Sequence, residues 1–302
     1  MSNSPPWFAL ASAALAKSKA RSMEATSDTL QMNRASLVAS FDRAFDFANA
    51  AEANANQGGL FDMGGEDSHG ASTQEPELVE ATPWGVKERL TQEKTAIGFY
   101  LSGHLFDEVE REVRRFCKRT IEELVDTREP LLLAGIVNDL RVINGQRGKL
   151  ALFKLDDKTD VIDAAADESV FGPHRHWLKD DELVIVMAKL QPDRFSGGFR
   201  LNVQQIWDLA TARCRFGKYL KVAVNGQVPD IQRLLRDFPP KKEVSEQGEL
   251  VRGLGVRLLV QRDAAVAELQ LGEQAKFYPS DAALASWMAQ AHGGQAQIVY
   301  ET

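Results

Sequence analysis

The sequence predicts a multidomain α+β protein organised around a five-stranded β-barrel, and three observations carry that prediction. First, an apolar run from Leu131 to Leu140 meets a second from Leu150 to Leu155 across Asn144-Gly145 and Gly148. Asn-Gly between two such runs is the strongest short-range hairpin signal, because both central residues of the tight turn need positive φ. Second, the segment after Gly198 alternates, with Phe199, Leu201 and Val203 on one side and Arg200, Asn202 and Gln204 on the other. Such a strand has one buried and one wet face. Third, the order of elements is restrictive: a weak strand at Val161 to Ala165, a short helix at Phe171 to Leu178 opened by Gly172-Pro173, and a strand at Leu183 to Leu190 complete the set.

Three strands, a short helix and two further strands is the order of the OB-fold. This Greek-key barrel binds oligonucleotides and oligosaccharides through strands two and three and the loops joining strands one to two and four to five. The barrel is placed at residues 129–212.

The flanking chain reads as follows. Residues 1–27 form an Ala-, Ser- and Lys-rich leader without a sustained period, expected to be disordered or non-native. Residues 28–55 carry a helical pattern of Leu30, Leu37, Phe41 and Phe45, with Asn33 placed to cap it. Residues 56–83 are a Gly- and acid-rich linker with too little apolar content to fold alone. Inside it lies Gln57-Gly58-Gly59-Leu60-Phe61, whose two large apolar residues are costly to leave in water and suit a partner's pockets, or the preceding helix. Residues 84–128 read as a helical connector, broken at Ser102-Gly103. The alternating charges from Asp107 to Lys118 are expected to be a solvated helix face. Residues 213–302 predict a small α+β domain with a one-sided sheet, built from strands near 218–225, 256–261, 266–271 and 297–300 and helices near 230–238 and 280–292.

Composition narrows the function classes. The 302 residues suffice for two modest cores. The two cysteines, Cys117 and Cys214, lie far apart, which excludes a disulfide framework or zinc ribbon and fits the cytoplasm. The apolar stretch Trp7 to Ala16 is too short to span a bilayer, and its cations follow it instead of preceding it, so neither membrane nor export is expected. The net charge of −7 does not argue against nucleic acid, since no Lys or Arg occurs between Ala44 and Val86, where eight acidic residues fall, leaving a near-neutral remainder.

No GxSxG, Walker loop or GxGxxG occurs. His174-x-His176 lacks a third ligand, and Asp156-Asp157 and Asp180-Asp181 read as turn and capping residues, so no catalytic residue, metal or cofactor is assigned. The better candidate is a single-strand interface. Arg141, Asn144, Arg147 and Lys149 lie in or beside the first hairpin loop, Arg194 and Phe195 in the loop before strand five, and Arg200 just after it, with Phe153 a second possible stacking ring. A basic groove with aromatic platforms is how single-strand binders work, and a barrel that only docks protein is the competing reading.

Taken together, the helix, the Gln57-x-x-Leu60-Phe61 pentapeptide, the segment EKTAIGFYLSGH from Glu93 to His104, the barrel with its Phe195 to Gly198 loop and the closing α+β domain resemble the C-terminal part of the bacterial DNA polymerase III alpha subunit, over roughly 28–302. The resemblance implies that Gln57, Leu60 and Phe61 tether the chain to the sliding clamp (the beta subunit), that the barrel binds single-stranded DNA, and that the last domain docks the clamp-loader tau subunit. It also implies a parent DNA-directed DNA polymerase, a nucleotidyltransferase. The family's polymerase and N-terminal phosphoesterase-like domains have no counterpart in these residues, so the chain is expected to be a fragment that takes part in DNA replication without polymerising unaided; the alternative is a stand-alone single-strand-binding or protein-docking accessory with no polymerase role. Gly58 and Gly59 stand where bulkier residues are usual, which raises the entropy lost on docking, and Leu105 replaces the family's proline.

Overall fold

Each strand of the central sheet forms where the sequence alternates or runs apolar, and the ring they make is closed. The structure, a computed structural model, describes residues 33–57, 79–145, 148–193, 197–225, 228–245, 248–262 and 265–300. The leader at 1–27, most of the acidic linker with Leu60 and Phe61, and Arg147, Arg194 and Phe195 lie outside the described residues. The chain divides into two compact units between Leu105 and Phe106.

In the first unit, helix α1 spans Arg34–Gln57 and α2 spans Val86–Ile97. Asn33 caps α1, its Oδ1 accepting from the Ser36 amide at 2.9 Å, and Ser36 and Ser40 side chains accept from the amides of Ala81 and Val79. The helix runs two residues past the expected end at 55, to Gln57, through Ala-rich sequence. Asn56 and Gln57, expected in the linker, therefore belong to the helix. Gly98 ends α2 in the left-handed region, φ 91°, where only glycine is free of a Cβ clash. Beyond it the amides of Leu101 and Ser102 both donate to Glu93, which also pairs with Arg34.

The second unit begins with α3 (Asp107–Val113) and continues through β1 (Leu131–Gly145), β2 (Gly148–Asp156), β3 (Val161–Asp167), a single turn α4 (Glu168–Phe171), β4 (Leu183–Pro192) and β5 (Phe199–Trp207). The five strands close in the order β1-β2-β3-β5-β4, with β3 and β5 parallel and the other pairs antiparallel. Leu133, Val137, Phe153, Leu155, Ala164, Ala166, Val186, Leu201 and Val203 fill the interior. Gly135 is required by β1's close approach to β2, since a Cβ there would stand 2.8 Å from the Asp156 carbonyl oxygen.

The short helix differs from expectation. It starts at Glu168, three residues early, and Gly172-Pro173 falls in a following 3₁₀ turn, Gly172–His174, instead of opening the helix. Asp167, in extended conformation, makes the entry, and a 3₁₀ turn tolerates the proline that an α-helix interior does not. Phe199 is 43% exposed although its parity is that of the buried face, because β5 starts beyond the closed ring, opposite Pro192.

After the barrel come α5 (Leu209–Phe216), β6 (Gly217–Val224), α6 (Ile231–Asp237), the ribbon β7 (Lys241–Ser245) and β8 (Gly248–Arg252), β9 (Leu254–Arg262), β10 (Ala265–Gln270), β11 (Lys276–Phe277), α7 (Asp281–Gln290) and β12 (Ala296–Tyr300). The sheet runs β10-β9-β6-β12, with β11 also on β9. Leu220, Val222, Leu234, Phe277 and Trp287 build its core.

The charges of 107–118 are not simply solvated. Arg114 pairs with the buried Asp157 at 2.9 Å, and Glu112 reaches Arg213 and Tyr300. Asp157 acts as a turn residue as expected, accepting from the amides of Thr159 and Ile121.

Candidate nucleic-acid interface

The β1–β2 hairpin overhangs the barrel as an arm, and its strand alternation divides the candidate residues. After a bulge between Asn138 and Arg141, the register is regular: Arg141 faces Leu152 and Asn144 faces Lys149. Residues an odd number apart on a strand point to opposite faces, so Arg141 and Asn144 cannot serve one surface. Arg141 lies on the outer face of the wall, where paired positions run Arg141, Leu152, Ala165, Asn202 across β1, β2, β3 and β5. Arg200, two residues before Asn202, shares this face, and Lys154 stands beside Asp163 on it.

Asn144 and Lys149 face the other way. With Leu140 and Val142 they form the underside of the arm, which together with Phe171, Arg175 and Leu178 lines a half-open cavity of about 330 Å³. Glu168 ties the arm to the helix turn: its carboxylate accepts from the Lys149 amide at 3.2 Å and approaches Arg175 at 3.4 Å. The Arg175 guanidinium also lies over the Phe171 ring.

The β1–β2 and β4–β5 loops stand at opposite ends of the wall, because β1 and β4 are antiparallel and each loop follows its strand's C-terminal end. The structure thus brings Arg141 and Arg200 to one face, Asn144 and Lys149 to another surface, and leaves Arg147, Arg194 and Phe195 outside the described residues. Phe153 is a correction: at 3% exposure it fills the barrel interior and offers no stacking surface. In its place the structure exposes Phe199, at the start of β5. Sequence reasoning missed Arg175 as well; it lies in a turn, and only the folded helix end brings it under the arm. His174 and His176 both contact Trp177, His174 stacked at 4.4 Å between centroids.

The outer face carries mixed charge. Lys154 bridges to Asp139 at 2.9 Å, and Asp139, whose φ of 55° belongs to the bulge, has its carboxyl held below the usual range by that hydrogen bond and charge. Among the described residues no group of three or more His, Cys, Asp or Glu side chains is placed to hold a metal ion. No helix among them is long and apolar enough to cross a membrane.

No protein-family model matches the chain. Individual curated proteins do. The chain is 37% identical over 199 residues to DNA polymerase III subunit alpha of Neisseria meningitidis serogroup B, 65% of this chain and 17% of that protein. It is a homologue of the DNA polymerase III alpha subunits. The alpha subunit of Pseudomonas aeruginosa is 34% identical over 222 residues, and that of Vibrio cholerae 30% over 265 residues, the latter covering 85% of this chain and 22% of the relative. The homologous region therefore spans about a fifth of the alpha subunits it matches or less. Among solved structures the chain is similar to the second OB-fold domain of replication protein A from Methanococcus maripaludis, 16% identical, covering 30% of this chain and 93% of that one at a TM-score of 0.24, a likeness too loose to carry argument.

Proposed function

We propose that the chain is the DNA-binding and tethering region of a replicative polymerase alpha subunit, and that its barrel is an OB-fold which holds single-stranded DNA on the outer face between Arg141 and Arg200. The observation that carries this reading is the 37% identity to an alpha subunit over 199 residues. Its physical support is a closed five-stranded wall whose outer face carries Arg141 at one side and Arg200 and Asn202 at the other, with an exposed Phe199 at one end. On this reading Arg141, Arg200 and, in the loops, Arg147 and Arg194 neutralise phosphates and Phe195 and Phe199 supply stacking, while Asn144 and Lys149, on the underside of the arm, stand off this face. Gln57, Leu60 and Phe61 tether the chain to the sliding clamp, and residues 213–302 dock the tau subunit.

Titration of a labelled single-stranded oligonucleotide tests the barrel's role. Binding is expected to weaken in Arg141→Ala and Arg200→Ala; a chain that binds no single strand at low salt overturns it. A second reading, a barrel that docks protein, is favoured by one observation: Asp163 and Asp167 share the outer face with Leu150, Leu152 and Ala165, a mixture closer to a protein contact than to a phosphate track. The residues of this chain are proposed to bind and not to polymerise, and primer extension by the purified chain, free of other polymerases, would contradict that.

A further inference from the structure

The cavity under the β1–β2 arm is not part of the outer face. Its walls are of two kinds. Leu140, Val142, Phe171 and Leu178 are apolar, while Asn144, Lys149 and Arg175 converge on its rim with hydrogen-bond donors. At about 330 Å³ it falls in the size range of pockets for small ligands, roughly 300 to 1,000 Å³. An apolar slot with an amide and two cations at its mouth matches one nucleotide, which has a flat base, base edges that need a donor and acceptor, and a phosphate.

Glu168 shows where the phosphate would sit. Its carboxylate occupies the space between the Lys149 amide and the Arg175 guanidinium, so the site already holds an anion supplied by the chain itself. Both Arg175 and Glu168 are about half exposed, with side-chain exposures of 54% and 45%, so the pair can open without unpacking the core.

Resting on the reading of the barrel as a single-strand binder, we propose that this cavity takes one nucleotide of the bound strand, its base against the exposed Val142 and half-buried Leu140 and its phosphate on Lys149 and Arg175 in place of Glu168. The strand then does not run only along the outer wall. It turns over the end of the β1–β2 arm, and the opposite facing of Arg141 and Asn144 becomes the means by which one hairpin grips a strand from both sides.

The test uses the full chain and a short labelled oligo(dT). Val142→Trp fills the cavity from a position that is 52% exposed, so folding is retained, and should weaken binding about fivefold or more, the loss of one stacked base. Glu168→Gln removes the competing carboxylate and should tighten binding, an outcome that a merely structural Glu168 would not give. An oligonucleotide carrying 5-iodouracil should crosslink to peptides holding residues 140–144 or 171–178. If Arg141→Ala weakens binding while Val142→Trp and Glu168→Gln leave it unchanged, and crosslinks fall only on the outer wall, the cavity proposal is wrong and the barrel's role stands. If the unaltered chain binds no single strand, both fall.

Discussion

Arg213 grips Glu112 through two parallel hydrogen bonds, Nε to Oε1 and Nη2 to Oε2, each 2.7 Å. The pair joins α3, ahead of the barrel, to α5, behind it. Tyr300 donates from the last strand to the same Glu112 carboxylate, and Arg213 also reaches Asp281 and the Pro279 carbonyl. The arginine side chain is 5% exposed, so removing its main partner leaves a charge in a poor solvent. Glu112→Ala should therefore destabilise the 106–302 unit by about 3 kcal/mol, the lower end for breaking a buried pair, read as a shift in the urea unfolding midpoint. An unchanged midpoint would show that Asp281 alone satisfies Arg213.

The same carboxylate gives a pH dependence. Burial by itself would raise the Glu112 pKa, but the Arg213 hydrogen bond and charge and the Tyr300 hydroxyl outweigh it, and the folded value lies below the ordinary 4.5. A carboxyl depressed in the folded state contributes stability that is complete above its unfolded pKa and is lost as pH falls through the folded one. Asp157, lowered from 3.8 despite burial by bonds from Thr159, Arg114 and the Ile121 amide, acts in the same direction. Stability should be level from neutral pH to about 5 and fall below it. Glu112→Gln should show a shallower fall across the acid range, measured by denaturation at a series of pH values; an identical slope would place the acid sensitivity elsewhere.

Burial of Tyr300 beside the Glu112 carboxylate pushes its phenol well above the usual range, so the hydroxyl stays a donor throughout. Tyr300→Phe removes that donor while keeping the ring tilted against Phe116. The expected loss is about 1.5 kcal/mol, that of a hydrogen bond to a charged acceptor at its low end, and it should appear at neutral pH more than at a pH acid enough to protonate Glu112, whose folded value lies below the ordinary one. Thermal unfolding at the two pH values decides it.

The barrel was legible because its signals are local. Alternation in β5 and the apolar run of β1 each name a strand and a face, whereas Asn144-Gly145 marks the hairpin without being its turn, since both residues pair with β2 as the last two of β1. What was not legible depended on tertiary context. Phe153 and Phe199 both look like candidate platforms or core in the sequence; only ring closure buries the first and leaves the second at the mouth. The ribbon of residues 241–252 was missed because Lys241, Lys242, Glu243 and Glu249 mask its alternation, and α5 because eight residues after a strand carry too short a period. Arg141 and Asn144 were grouped by proximity in sequence, whereas a strand of period two separates them.

Clamp tethering gives a prediction that depends on two residues. Replacing Leu60 and Phe61 together by Ala should abolish binding to the sliding clamp, because each apolar side chain contributes roughly 1.5 to 3 kcal/mol when buried. The two glycines before them add ordering cost, so the unaltered chain should bind at micromolar and not nanomolar concentration, on the order of −8 kcal/mol. Gln57 ends α1, so engagement in extended form also requires the last turn to open. Surface plasmon resonance against purified clamp tests the assignment, which fails if the double variant binds as the original does.

The last prediction separates charge from stacking on the barrel. Each phosphate neutralised on a single strand contributes about 0.7 to the log–log dependence of affinity on salt. Arg141 and Arg200 share the outer face, so changing both to Ala should lower the slope by about 1.4 and weaken binding to all sequences alike, since phosphate contacts carry no base information. Phe199→Ala, and likewise Phe195→Ala, should weaken binding while leaving the slope nearly as it was, because a stacked ring releases no counterion. The two classes of variant are told apart by titrating labelled strands at four or more salt concentrations, with 0.05 to 0.3 M as a rough range over which screening changes steeply. A slope unchanged by both arginine substitutions would take the strand off the outer wall, and a slope near zero in the unaltered chain would leave that wall as a protein dock.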